Sequence, residues 1–392
     1  MPRAVIVDAA RTPIGKFGGA FAELSSVDLG IAVVKGLLAR TGVVAETVEQ
    51  VIFGNARQAG GGPNPARQIS VGAGLPHETL AWTVNMACAS GLLSISTAAD
   101  AICRGEANVV IAGGTESMSG LPYYLPRARF GYRMGHAPIV DGMYKDGFQC
   151  PISDQLMGRT AENLAEKYDI DRTAQDEWAV RSQSLCEEAV ESGAFDTEIC
   201  PVTVKGRRGD VVVERDEHPR AGVTLEKMAR LKPVFKDDGT VHPGNASGIT
   251  DGAAAVLVMS DERARELGLT PLASIEGHAR AGVDPALMGI GPVPATARLL
   301  GDLGLTFDDI GLCELNEAFA AQVLSCLAEW PISKDIVNVN GGSIALGHPI
   351  GATGTRIVAT LLHAMKARDV HRGLATLCVS GGFGMSMTFV RD

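Results

Sequence analysis

Short β-branched runs separated by longer stretches of helical spacing set the pattern of the first third of the chain. Ala4 to Val7, Val51 to Phe53 and Val109 to Ala112 predict strands. After Cys88, apolar side chains at Leu92, Ile95, Ala99 and Ile102 recur at helical spacing, with Gly105 just past the end. That segment predicts a helix and puts Cys88 where a strand turns into it. Strands alternating with helices imply parallel pairing through crossover connections, so the class is α/β.

The pattern changes between 119 and 249. LPYYLPRARFGYRMGHAP is rich in Pro, Gly and Arg, and charged helices follow near Ala161 to Tyr168 and Gln175 to Glu191. From Asp251 the run AAAVLVM returns to strand character, and the last third repeats the alternation. The expected organisation is a first half of 1–118 with 250–270, an inserted α-rich loop domain of 119–249, and a second half of 271–392. VIAGGTESMS at 110–119 and CVSGGFGMSM at 378–387 share a strand, a Gly-Gly turn and a Met/Ser stretch, which suggests that the halves are related.

Composition narrows the function classes. Against 45 acidic residues stand 35 basic ones, a net charge of −10, which argues against general binding to nucleic acid or a membrane surface. An anionic ligand then needs a local basic patch. The eight cysteines form no CxxC pair and have no histidine at metal-site spacing, so they read as free thiols in a reducing compartment, with no metal expected. The opening MPRAVIVDAARTPIG reads as a first strand rather than a signal peptide, and no apolar run approaches membrane-spanning length; the expected location is the cytoplasm.

Four turns carry candidate chemistry. NVNGGSIALGHPIGATG at 338–354 sets His348 among glycines before the segment Thr355 to Met365, expected to be an amphipathic helix, and Pro349 fixes the chain direction beside the imidazole. The spacing fits neither a P-loop nor a dinucleotide fingerprint. Cys378 ends the apolar run LATLCV before a Ser-Gly-Gly turn, where open α/β sheets place ligand-facing residues. In ELNEAFAAQ, Asn316 stands at a predicted helix start, a place for a cap. In NMACASG, Cys88 stands at a helix N-terminus, where a thiolate is favoured, and Ala87, Ala89, Ser90 and Gly91 read as clearance for a substrate. Two thiols, an imidazole and an amide on separate turns suggest acyl transfer through a thioester, with backbone N–H groups holding developing oxyanions.

These blocks together resemble the thiolase family, most closely its acetyl-CoA acetyltransferase branch. RTPIGKFGG at 11–19, NPARQ at 64–68, NMACASG, GGTESMS, GNASG at 244–248, NEAFAAQ, NGGSIALGHPIGATG and CVSGG stand in the family's order and span nearly the whole chain. The resemblance implies two similar βαβαβαββ halves in a layered α/β/α/β/α body, with central helices stacked between two sheets. It implies a homodimer or homotetramer, the tetramer built through about Leu121 to Arg133, and a place in fatty-acid metabolism.

For the site, the resemblance implies Cys88 as the acyl-accepting nucleophile and His348 as the base that keeps its thiol ionised. It implies Cys378 as the acid and base at the substrate α-carbon. Asn316, through a water, and His348 would form one oxyanion hole; the N–H groups of Cys88 and Ser380 would form the other. Arg220 and Ser247 are the matching coenzyme A contacts, and Met157, Phe235, Met288 and Phe319 line the pantetheine and acyl pocket. The substrates are coenzyme A thioesters, with no metal or redox cofactor. Ser380 stands where the family usually has Gly, Leu156 where the acetoacetyl-forming members commonly carry His, and Thr250 where Asn is frequent. A degradative 3-ketoacyl-CoA thiolase is the alternative. A Cys/His hydrolase or a non-catalytic acyl-CoA-binding protein fits less well.

Overall fold

The computed structural model describes residues 2–207 and 209–391. The first half runs β1 (Ala4–Arg11), α1 (Ser26–Thr41), β2 (Gln50–Gly54), α2 (Pro65–Gly72), β3 (Leu80–Val84), α3 (Ser90–Cys103) and β4 (Val109–Glu116). The chain then leaves through α4 (Met157–Lys167) and α5 (Arg172–Glu191) and returns as β5 (Thr250–Ser260). The second half runs β6 (Ala273–Gly282), α6 (Pro292–Leu303), β7 (Leu312–Leu315), α7 (Ala320–Glu329), α8 (Ile350–Ala367), β8 (Arg372–Val379) and β9 (Phe383–Val390).

Strand order makes the kinship of the halves explicit. In the first, β1 lies antiparallel to β5, β5 antiparallel to β4, and β4, β2 and β3 run parallel. In the second, β6 is antiparallel to β9, β9 antiparallel to β8, and β8 parallel to β7, with a parallel bridge from Cys313 to Val337 beyond. The two sheets are joined edge to edge by only two residue pairs, Val5 with Ser274 and Ile6 with Ala273, so they form one ladder. The short sequence echo does not mark their correspondence. Gly113 and Gly114 lie inside β4, whereas Gly381 and Gly382, both at φ 91°, make the turn between β8 and β9.

Helices fill three layers. Leu92, Ile95, Ala99 and Ile102 of α3 pack with Ile357, Leu361 and Met365 of α8 into a core reached by strands of both halves. On the outer face of the first half, Leu29, Val33 and Leu37 of α1 cover Val51, Ile111 and Leu257; on the second, Leu299 and Leu300 of α6 and Val323 of α7 cover Leu315 and Leu374. Each such Leu or Ile contributes roughly 1.5–3 kcal/mol. The expected amphipathic helix is corrected here: α8 is buried from Ile350 to Met365 except at His363, because it sits between layers instead of on a surface. A Cβ on Gly91 would lie 2.7 Å from the Thr355 nitrogen and one on Gly354 2.3 Å from that of Leu92, so the central helices meet backbone to backbone at their first turns. Among the described residues, no helix is long and apolar enough to cross a membrane.

Candidate active site

The turn from β3 into α3 holds Cys88 under strain. Ala87 adopts φ 44°, a left-handed conformation that costs an alanine about 1 kcal/mol or more. It is pinned from both sides: its N–H donates to Asn85 Oδ1 at 2.9 Å, and its carbonyl accepts the Ser90 hydroxyl at 2.7 Å. Ser90 Oγ in turn accepts the Met86 N–H at 2.9 Å. Ala89, Ser90 and Gly91 are therefore buried packing and pinning groups, not the substrate clearance their size suggested.

The backbone N–H groups of Ser380 and of Cys88 itself lie near the Cys88 sulfur and favour its ionised form. Burial still pushes the thiol up, with those donors and the charge of Arg57 opposing it. In place of the expected standing thiolate, burial favours the thiol. Ser380 needs no left-handed backbone; that conformation falls on Gly381 and Gly382, so a side chain is tolerated at 380 without loss of its N–H.

His348 is anchored by its N–H to the Gly248 carbonyl at 3.0 Å and by Nδ1 to Thr353 Oγ1 at 2.6 Å. Thr353 Oγ1 lies 3.0 Å from the Pro349 carbonyl, the acceptor a helical threonine uses four residues back, and with its one hydrogen given there its oxygen accepts from the ring. The hydrogen therefore sits on Nδ1, and Nε2, which has no partner among the described residues, carries a free lone pair. Burial, reinforced by the charges of Arg356 and Arg57, pulls the imidazole down to about 3 and keeps it neutral. The pair at rest is thus imidazole and thiol, a correction to the reading in which His348 holds Cys88 ionised.

Cys378 closes β8, is buried, and is pushed well above the ordinary thiol range by desolvation and by the nearby Cys88. Asn316 follows β7 and is not a helix cap, because α7 begins four residues later with Phe319 at its N-cap. Its Oδ1 accepts the Ser343 hydroxyl at 2.6 Å, and its buried Nδ2 has no partner among the described residues.

Cys88, His348, Cys378 and Ser380 line one cleft of about 580 Å³, as do all six candidate contacts, Arg220, Ser247, Met157, Phe235, Met288 and Phe319. Phe235 and Phe319 meet edge to face at 6.3 Å. Asn316 stands behind this wall and not in it. Ser247 is fixed by its N–H to the Ala318 carbonyl at 3.0 Å, and Leu156 also faces the cleft.

Two of the lining residues that sequence reasoning missed carry ionisable side chains deep in the site. His218 donates through Nδ1 to the Ala345 carbonyl at 2.6 Å. Arg57 is buried with its guanidinium 5.0 Å from the Phe148 ring, and Nε and Nη1 have no hydrogen-bond partner among the described residues. Its backbone is held by Glu116, whose carboxylate accepts from Asn55 Nδ2 and from the N–H groups of Ala56, Arg57 and Gly351, while burial pushes it up to about 7. One carboxylate thus ties the end of β2 to the first turn of α8. The available signal was an arginine three residues past a strand end in FGNARQAGG, which reads equally as a solvated loop charge.

Comparison with known proteins agrees with this geometry. Residues 4–262 match the model of the thiolase N-terminal domain and 269–391 that of the thiolase C-terminal domain. The acetyl-CoA acetyltransferase of Cupriavidus necator is 52% identical over the whole of both chains, and that of Escherichia coli is 50% identical over the whole of both. A crystal structure of the Bacillus anthracis acetyl-CoA acetyltransferase superposes with a TM-score of 0.98 at 46% identity, covering 100% of this chain and 99% of that one. Human mitochondrial 3-ketoacyl-CoA thiolase superposes at 0.96 with 40% identity and the same coverage. With the layered fold, the paired thiols and full-length matches to both family domains, the chain belongs to the thiolase family.

Proposed function

We propose that this chain is an acetyl-CoA C-acetyltransferase that joins two acetyl-CoA molecules into acetoacetyl-CoA and free coenzyme A, or runs the reverse thiolysis. The observation that carries the reading is a neutral imidazole with a free Nε2 lone pair on the same cleft as two thiols, the half-buried Cys88 and the buried Cys378. Relatives of about half identity that bear this name support it.

In the first half-reaction, His348 Nε2 takes the Cys88 proton and the sulfur attacks the thioester carbonyl. The N–H groups of Cys88 and Ser380 hold the oxyanion, each such donor contributing about 3 kcal/mol. The C–S bond to coenzyme A breaks, and Cys378 protonates the leaving thiolate. Cys378, now a thiolate, removes an α-proton from the second acetyl-CoA. The imidazolium N–H and a water on Asn316 hold the enolate oxygen. The enolate attacks acetyl-Cys88, whose sulfur leaves and recovers its proton from His348. Both protons return to their starting sites, and every step has a side chain assigned, so the scheme needs neither metal nor redox cofactor.

Met157, Phe235, Met288 and Phe319 narrow the pocket and support a short acyl chain. Arg220 supplies the local positive charge for the nucleotide end of coenzyme A. Residues 1–118 with 250–270 and residues 271–392 form the two halves, and 119–249 carries coenzyme A and oligomer contacts. Exposed Tyr123, Leu125, Phe130 and Met134 support assembly into a homodimer or homotetramer through that insertion. Eight free cysteines support a cytoplasmic location.

Brief incubation with acetyl-CoA should acetylate the Cys88 peptide, as read by mass spectrometry, and Cys88→Ser should abolish it. Cys378→Ser should keep the acetylation and lose condensation. Acetylation at another cysteine would overturn the reading, as would thiolysis rates that rise steadily with 3-ketoacyl chain length.

A further inference from the structure

A buried polar chain outside the cleft ends on Asn316. Arg356 of α8 donates through Nη2 to Ser343 Oγ at 2.7 Å, and Ser343 Oγ meets Asn316 Oδ1 at 2.6 Å. Arg356 Nη1 lies 3.5 Å from the carboxylate of Glu314, which is on β7 two residues before Asn316. Arg356, Ser343, Asn316 and Glu314 are each no more than 2% exposed.

The direction of each bond follows from what the groups can do. Arginine only donates, so the Ser343 oxygen accepts from Arg356 and its one hydrogen is free for the amide. Asn316 is the one acceptor for that hydrogen among the described residues, so the atom facing Ser343 is the carbonyl oxygen. The orientation of the amide follows from where the hydroxyl hydrogen can go. The NH2 group is turned away from Ser343 and keeps both hydrogens open, in a buried place where an open donor is unfavourable.

We propose that Ser343 is a positioning residue for the second half-reaction: its hydroxyl, polarised by Arg356, locks the Asn316 amide with NH2 presented to the enolate oxygen or its bridging water. The inference rests on the role given to Asn316 above. Without the hydroxyl, the amide loses the hydrogen bond that holds its carbonyl oxygen on the Ser343 side, and a flip that shows this oxygen to an anion costs less. The acetylation half-reaction uses the other pair of donors and does not draw on this lock.

The test compares Ser343→Ala, Asn316→Ala and the double variant in two measurements on the same samples. One is the burst of coenzyme A released on acetylation of Cys88. The other is exchange of the acetyl-CoA methyl protons with deuterated solvent, followed by NMR alongside steady-state condensation. Ser343→Ala should slow exchange and the condensation kcat about tenfold, the value of one oriented hydrogen bond, with KM and the burst within twofold of wild type. The double variant should be no slower than Asn316→Ala alone. Equal slowing of burst and exchange in Ser343→Ala would mean a general packing role and overturn the proposal. Wild-type exchange in Ser343→Ala beside slow exchange in Asn316→Ala would overturn it while leaving the Asn316 role intact. Wild-type exchange in Asn316→Ala would overturn both. The burst also reports whether each variant is folded.

Discussion

Replacing Thr353 by valine removes the acceptor that sets the His348 tautomer while keeping the shape of the side chain. The Pro349 carbonyl still receives the N–H groups of Ala352 and Thr353 at 2.8 and 2.9 Å, so no other group in the turn loses its partner. The ring then has two options. It leaves Nδ1–H buried without an acceptor, at about 1–3 kcal/mol, or it moves the hydrogen to Nε2 and has no lone pair to offer Cys88. At 1.4 kcal/mol per decade, that cost lowers the population of the productive tautomer roughly five- to 150-fold. Quenched-flow measurement of Cys88 acetylation by acetyl-CoA reads this directly. Thr353→Val should be slower by that factor near neutral pH, and Thr353→Ser, which keeps the hydroxyl, should stay within about threefold of wild type. Acetylation by Thr353→Val at the wild-type rate would refute the tautomer argument.

Arg57→Met should move the pH profile of Cys88 alkylation by iodoacetamide to higher pH, because the charge of Arg57 lowers the Cys88 thiol. The same variant should gain about 1–3 kcal/mol of stability in denaturant titrations, since a buried guanidinium whose Nε and Nη1 have no partner among the described residues is lost. A lower alkylation pKa with lower stability would contradict both. His348 is held near 3 in the fold against an ordinary 6.5, so between those values the unfolded chain binds a proton that the native chain does not. Stability should therefore fall as pH drops from about 6.5 towards 3, and His348→Asn should flatten that slope by up to about 1.4 kcal/mol per pH unit. Gly354→Ala drives a Cβ to within 2.3 Å of the Leu92 backbone and should cost about 2–4 kcal/mol, visible as a melting temperature lowered by several degrees.

Much of the fold was legible because strand and helix periods are local. The runs at Ala4, Val51 and Val109 became β1, β2 and β4, and the Leu92 to Ile102 spacing became α3. What failed depended on the third dimension. The spacing in α8 cannot tell one covered face from two, since the second cover comes from β-strands far along the chain. Asn316 resembled a cap until β7 was seen to end at Leu315. The protonation of the His348 and Cys88 pair was invisible because burial, absent from any motif, outweighs the helix terminus and neighbouring donors. Arg57 was overlooked because a single arginine in a loop carries no sign of the Phe148 ring that covers it.

The joined half-sheets have a consequence for how the chemistry is divided. Cys88 stands two residues before Ser90, where α3 begins, and His348 stands two residues before Ile350, where α8 begins. Since α3 and α8 are counterparts in the two halves, the proposed nucleophile and base occupy the same address in two copies of one plan. A single copy offers one such address and has no partner for whichever group it holds. Doubling the plan and letting the copies diverge turns a repeated position into a complementary pair, and the Gly91 and Gly354 contact brings the two addresses together.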